Sequence, residues 1–303
     1  MIDNMVNTLY PNNNLKVHYA GCDNMQRLKQ LSALGVNYAL YSAFPFIYRI
    51  CFGKGVAKKD LDFVASVRKT MKGVIQDSGL FSLLYGKSSH LANEKNVFKW
   101  YDGLVEWTLA HGQDVVVVEV DCQDIISNEV AWDLRYRLRN DLPNNRIMNV
   151  WHVSDGMDGL DRLIEFSDYI AIAIGSGAPG DNSRQAMCQI SKYIKDKKPE
   201  IDIHLLGCTH LKTMKLCRFD TSCDSTYWLN LLKFGAWADH KDWHISFLDT
   251  DKVKSYFGDT WDYIRTLVKS DEQANAVCMS VEFNKLRYEK TLGNQDHSKN
   301  FQY

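Results

Sequence analysis

No stretch of the 303-residue sequence stays apolar for eighteen residues, so no transmembrane helix is expected. Met1 to Asn14 is polar and Asn-rich and lacks the basic-then-apolar plan of a secretion leader. The eight cysteines (Cys22, Cys51, Cys122, Cys188, Cys208, Cys217, Cys223, Cys278) include no CxxC pair. A chain of this size can bury a core without disulfides, so a reducing cytosol is the expected setting. Net charge is also nearly absent, at −1. That argues against a surface that grips nucleic acid everywhere, while leaving room for a local basic face. The candidate basic clusters are Lys54 with Lys58 and Lys59, Arg135 to Arg139, and Lys195 with Lys197 and Lys198; the alternative for each is a solvated helix face. Neither an internal repeat nor a low-complexity segment occurs.

What is present is alternation. Short β-rich runs are each followed by a helix-like segment: Lys16 to Ala20, Tyr38 to Ala43, Gly73 to Gln76, Asp114 to Val120, Arg146 to Val153, Tyr169 to Ile174, Ile201 to Leu206 and Phe219 to Cys223. Two of them, Val115 to Val118 and Ile170 to Ile174, are continuously apolar. Strands covered on both faces look like that, as in a parallel sheet wrapped by helices. Between them, Val97, Tyr101, Leu104, Val105, Thr108 and Leu109 mark one helix face; Leu160, Leu163 and Ile164 mark another, and Trp228, Leu231 and Leu232 a third. Asp23 or Asn24 and Asp181 or Asn182 stand where helices would start. Eight such units over about 240 residues predict a (β/α)8 TIM barrel. A doubly wound sheet, the alternative, normally needs fewer strands. The expected organisation is a flexible segment at 1–14, a catalytic barrel at 15–240 and a mainly helical extension at 241–303 packed on it. Within the extension, His244 to Leu248 suggests one more strand and Thr260 to Tyr288 one or two helices.

Barrels of this kind carry chemistry just past the C-terminal ends of their strands. Applied here, that rule gathers Asp77, Ser78 and Gly79 after the third strand, Asp121 after the fourth and His152 and Ser154 at the fifth. It adds Gly175, Ser176 and Gly177 after the sixth, and Asp224 after the eighth. Each aspartate alone could be a helix cap, and His152 alone a satisfied core histidine. Taken together, three aspartates and a histidine on one rim suit chemistry at a sugar C1′. There one carboxylate attacks the anomeric carbon and a second acid or base handles the departing group. Metal-dependent hydrolysis, the competing use of rim Asp and His, usually shows HxH or several histidines. Only His152, His204 and His210 lie near the right end, and His204 falls within a strand, so neither a metal nor another cofactor is expected.

These residues resemble the tRNA-guanine transglycosylase superfamily, and within it most of all the phage and bacterial 7-deazaguanine DNA transglycosylases. The family motif Asp-Ser-Gly-Gly-aromatic-Gln is matched by Asp77-Ser78-Gly79-Leu80-Phe81-Ser82, without its second Gly and its Gln. Val118-Glu119-Val120-Asp121, Ile174-Gly175-Ser176-Gly177, and Leu206-Gly207 followed by Cys223-Asp224 keep the family's order over about residues 70–235. The resemblance implies a (β/α)8 barrel with Asp224 as the nucleophile at C1′ and Asp77 as general acid/base. It implies that Asp121 reads the guanine N1–H and amino edge, with Ser78 and the Gly175–Gly177 segment also at the base. His152, or Ser154 under a shifted register, stands where the family has a base-binding Gln, and Asp220 is a rival nucleophile. The CxCxxC…His zinc site and the Pro-Thr-Arg of the tRNA enzymes have no counterpart here. Their absence favours DNA over tRNA as the partner, with a free 7-deazaguanine as the second substrate, in the cytoplasm of a host if the chain is phage-encoded. The remaining alternatives are a zinc-less tRNA enzyme and a non-catalytic nucleic-acid-binding barrel.

Overall fold

The computed structural model describes residues 15–53, 55–173, 181–230, 232 and 248–292. Eight parallel strands close into a barrel in sequence order. They are β1 (Lys16–Ala20), β2 (Tyr38–Ser42), β3 (Gly73–Asp77), β4 (Val116–Val118), β5 (Arg146–His152), β6 (Tyr169–Ala173), β7 (Asp202–Leu205) and β8 (Ser222–Ser225). The ring is closed by β8 pairing with β1, which sets His18 beside Asp224. Around it run α1 (Met25–Ala33), α2 (Phe44–Phe52), α3 (Lys58–Thr70), α4 (Leu80–Tyr85), α5 (Glu94–His111), α6 (Asn128–Asp141), α7 (Gly156–Phe166), α8 (Asp181–Lys197) and α9 (Leu211–Leu216). Among the described residues, three further helices follow: α10 (Thr250–Phe257), α11 (Asp259–Thr266) and α12 (Asp271–Leu292). The (β/α)8 expectation is therefore met. Of the suggested strand at His244 to Leu248, only Leu248 is described, in a turn; residues 244–247 and the segment at 1–14 lie outside the described residues.

Side chains alternate across each strand, so every second residue points into the barrel. The outward set (Val17, Ala39, Val117, Ile147, Ile170, Ile172, Ile203, Leu205) packs under the helices in the main core. The inward set is smaller: Ile75, Val118, Met148, Val150, Tyr169 and Ala171 form a separate apolar cluster on the β3–β6 side. At the N-terminal end the barrel is closed by charge. Arg146 pairs with Asp202 and lies over the Tyr169 ring, while Lys16 lies over Tyr38. On the β7–β8–β1 side the inward positions are polar, namely His204, Ser222, Asp224 and His18, all buried.

Several local expectations need adjustment. In α5, Leu109 is 51% exposed, because the buried face is carried by Trp100 and Trp107, with Val97, Tyr101 and Leu104. Trp228 lies in a 3-10 turn, Tyr227–Leu229, rather than an α-helix, and Leu231 is outside the described residues. Asn24, not Asp23, caps α1 by accepting from Arg27 N. Of the basic clusters, Arg135 is buried in an ion pair with Glu119. Lys195 and Lys198 bond backbone carbonyls, and Lys197 pairs with Asp161. These basic residues therefore brace the barrel's own helices. Lys54 lies outside the described residues.

Candidate active site at the barrel mouth

Asp77 is the last residue of β3 and faces inward in register with Ser42 of β2. Its carboxylate is held by the turn that follows: the Gly79 amide donates to Oδ2 at 3.1 Å. Gly79 has φ +76°, and a Cβ there would come within 2.5 Å of Phe44 N. Only glycine fits both the left-handed conformation and this contact. Ser78, in the same turn, is buried, and its carbonyl accepts the Trp100 indole N–H at 2.9 Å. Burial pushes the Asp77 carboxyl up to about 6, and the Asp224 and Asp121 charges add to this against the pull of Ser42 and Gly79. Carboxylates from β4 and β8 thus act on the one from β3 across the mouth.

Asp121 follows β4 by three residues, and its Oδ1 lies 2.7 Å from Nε2 of His152, the last residue of β5. Burial lowers the basicity of this imidazole, but the Asp121 hydrogen bond and the charges of Asp121, Asp155 and Asp124 outweigh it, so its pKa is raised. His152 is anchored through its backbone too, its N–H donating to Asp155 Oδ2 at 2.9 Å. Ser154 sits in the 3-10 turn after β5 and is exposed. Gly175, Ser176 and Gly177 lie outside the described residues.

Behind this pair is a buried network. Arg135 of α6 donates to both Glu119 oxygens from Nε at 3.0 Å, and its Nη2 donates to the Val150 carbonyl. Asn149 Nδ2 and Val150 N complete the carboxylate at 2.6 and 2.9 Å. Glu119 faces away from the barrel interior and fixes the end of β4, two residues before Asp121.

Asp224 lies within β8, and its side chain is 11% exposed. Its Oδ1 accepts the Gly207 amide at 2.7 Å and lies 3.0 Å from His204 Nε2. The strand expected at Phe219 to Cys223 is in fact Ser222–Ser225. That shift separates the two candidate nucleophiles. Asp220 precedes the strand at the opposite end of the barrel, is fully buried and accepts from Ser191 Oγ of α8 at 2.9 Å. Burial raises its carboxyl to about 8.

The polar residues that sequence reasoning left unassigned are His18, His204, Ser222 and Tyr169. His204 Nδ1 and the Tyr169 hydroxyl each lie 2.5 Å from Ser222 Oγ. The His18 ring lies tilted beside Tyr38 and edge-on to His204, and burial, reinforced by His204, lowers its pKa to about 3, so it is neutral. The signal for this group was period two: His204 in a strand of alternate inward residues, and Ser222 two before Asp224. No family model matches the chain, and no curated protein matches it significantly.

Proposed function

We propose that the chain is a guanine transglycosylase that exchanges guanine in DNA for a 7-deazaguanine such as 7-cyano-7-deazaguanine. The observation that carries this reading is the division of labour between two inward carboxyls of one barrel mouth. Asp224 is oriented through a single oxygen, which accepts the Gly207 N–H and contacts His204 Nε2, whereas Asp77 is pushed up to about 6 by burial. Environments that set two carboxyls apart in this way suit one to nucleophilic and the other to acid–base work.

The target guanosine must leave the base stack for its C1′ to reach the mouth. An Asp224 oxygen forms a bond to C1′ as the C1′–N9 bond breaks, and the departing guanine takes a proton from Asp77. The incoming 7-deazaguanine then forms the new bond from N9. The ester bond breaks with its electron pair returning to Asp224, and the N9 proton returns to Asp77. Two inversions retain the β configuration. Asp121, sharing its Oδ1 with His152, accepts from the N1–H and amino edge of the base. Ser78 and the Gly175–Gly177 segment complete the base site in this reading.

The test is a trapped adduct. DNA incubated without an incoming base is expected to give a protein–DNA species that survives denaturing electrophoresis. Asp224→Asn is expected to abolish it, Asp220→Asn to leave it, and Asp77→Asn to slow it by roughly 10²–10⁴-fold. Nucleoside mass spectrometry of DNA and tRNA incubated with labelled base assigns the nucleic acid. Base exchange that persists in Asp224→Asn would remove the covalent mechanism.

A further inference from the structure

Both hydrogen-bonding contacts of Asp224 converge on Oδ1, from His204 Nε2 and the Gly207 amide. Among the described residues none donates to Oδ2. Below Asp224 runs a buried chain of contacts: His204 Nε2 to Asp224, His204 Nδ1 to Ser222 Oγ, and Ser222 Oγ to the Tyr169 hydroxyl. For an ionised Asp224 and a neutral His204, the protons in this chain have one arrangement. A carboxylate only accepts, so Nε2 must carry the imidazole proton. Nδ1 then accepts, the Ser222 hydroxyl donates to it, and the Tyr169 hydroxyl donates to Ser222 Oγ. Burial raises the pKa of the Tyr169 phenol, which keeps that last donor protonated. Neutral His18 does not compete as a cation.

We propose that Tyr169, Ser222 and His204 are positioning residues that lock His204 in its Nε2–H form and pin Asp224 Oδ1, leaving Oδ2 as the oxygen that bonds to C1′. The second half of this statement rests on the transglycosylase reading; the tautomer does not. Restricting attack to one oxygen with a fixed lone-pair direction is the orientation effect that makes a bound nucleophile reactive, and a misplacement of about 1 Å can cost 10²-fold.

Two measurements test the relay. Long-range ¹H–¹⁵N spectra of histidine-labelled protein, with His204 assigned by its loss in His204→Gln, are expected to show a neutral ring protonated at Nε2. Ser222→Ala is expected to give a mixture of both tautomers. A wild-type His204 protonated at Nδ1 overturns the relay whatever the activity. The second measurement is the single-turnover rate of adduct formation with DNA. His204→Leu is expected to lose about 10²-fold with DNA affinity unchanged, and His204→Gln, whose amide N–H can replace Nε2–H, to recover most of it. Tyr169→Phe and Ser222→Ala, milder changes in the same column, are expected to lose several-fold each. An unchanged rate in folded His204→Leu, or equal loss in Leu and Gln variants, overturns the positioning role. A wild-type protein that exchanges no base defeats the transglycosylase reading, and the nitrogen spectra then decide the relay alone.

Discussion

Asp77 shows how a functional group can oppose the fold that holds it. An unfolded aspartate titrates near ~3.9, and burial raises Asp77 to about 6. Between those values the folded protein binds the proton that the unfolded chain has released, so stability falls as pH rises through that window. Below about pH 4 the group costs nothing; above about pH 6 the full penalty stands, on the order of 3 kcal/mol before solvent screening. Asp77→Asn keeps an acceptor for Gly79 N–H and removes the charge. It is therefore expected to stabilise the protein by about 1–3 kcal/mol at pH 8 and to have little effect at pH 4, read from urea midpoints at the two pH values. Asp220, pushed up to about 8 at the other end of the barrel, follows the same sign over a window extending to pH 8. Asp220→Asn is expected to stabilise at pH 9 without touching base exchange. Gly79→Ala meets the opposite situation: φ +76° and a Cβ 2.5 Å from Phe44 N. It is expected to destabilise by several kcal/mol, with a loss of thermal midpoint and of any activity that needs Asp77 held in place.

Among the elements, the strands that carry an apolar run of their own were the legible ones. β1 is Lys16–Ala20 as expected, and β5 and β6 match to a residue at one end. β8 was not legible, and the reason is physical. Its sequence Ser-Cys-Asp-Ser carries no apolar run, because its inward face belongs to the polar column of His204, Ser222 and Asp224. Phe219, a bulky apolar residue, drew the expected strand toward itself, although it lies in the turn before β8. Likewise β4 was expected to continue through Val120 but ends at Val118, where Glu119 turns to Arg135 and Asn149. The Asp-Ser-Gly turn after β3 and the Asp121 position were readable from residue type and place. The relay was legible only as period two in His204 and in Ser222 with Asp224; which inward residues meet is set by closure of the barrel, which brings β6, β7 and β8 around one axis. The Glu119–Arg135 pair joins β4, β5 and α6, and removing one partner strands a buried charge. Glu119→Gln is expected to cost about 3–5 kcal/mol in urea unfolding. Because the same residue fixes the chain two positions before Asp121, the variant is also expected to raise KM for the incoming base more than it lowers kcat.

At the scale of the whole molecule, the last helix is part of the barrel's outer ring. α12 packs on α9, α10, α11 and the 3-10 turn after β8, while α11 packs on α1. Buried Lys285 of α12 donates to the Leu34 carbonyl at the end of α1, at 3.0 Å, and the Tyr288 ring lies beside Tyr19 of β1. Ser280 donates to the Trp228 carbonyl, and the Trp228 indole N–H donates to Ala20 O at 2.8 Å. Thirteen of the 22 residues of α12 are buried, so this helix bridges the first and last barrel units. For a chain made from its amino terminus onward, this has a temporal consequence. The seam between β1 and β8 is left without its outer cover until the segment around Lys285 has cleared the ribosome. Stalled nascent chains ending before α12 are therefore expected to remain protease-sensitive at β1 and β8, with protection arriving in a single late step rather than strand by strand.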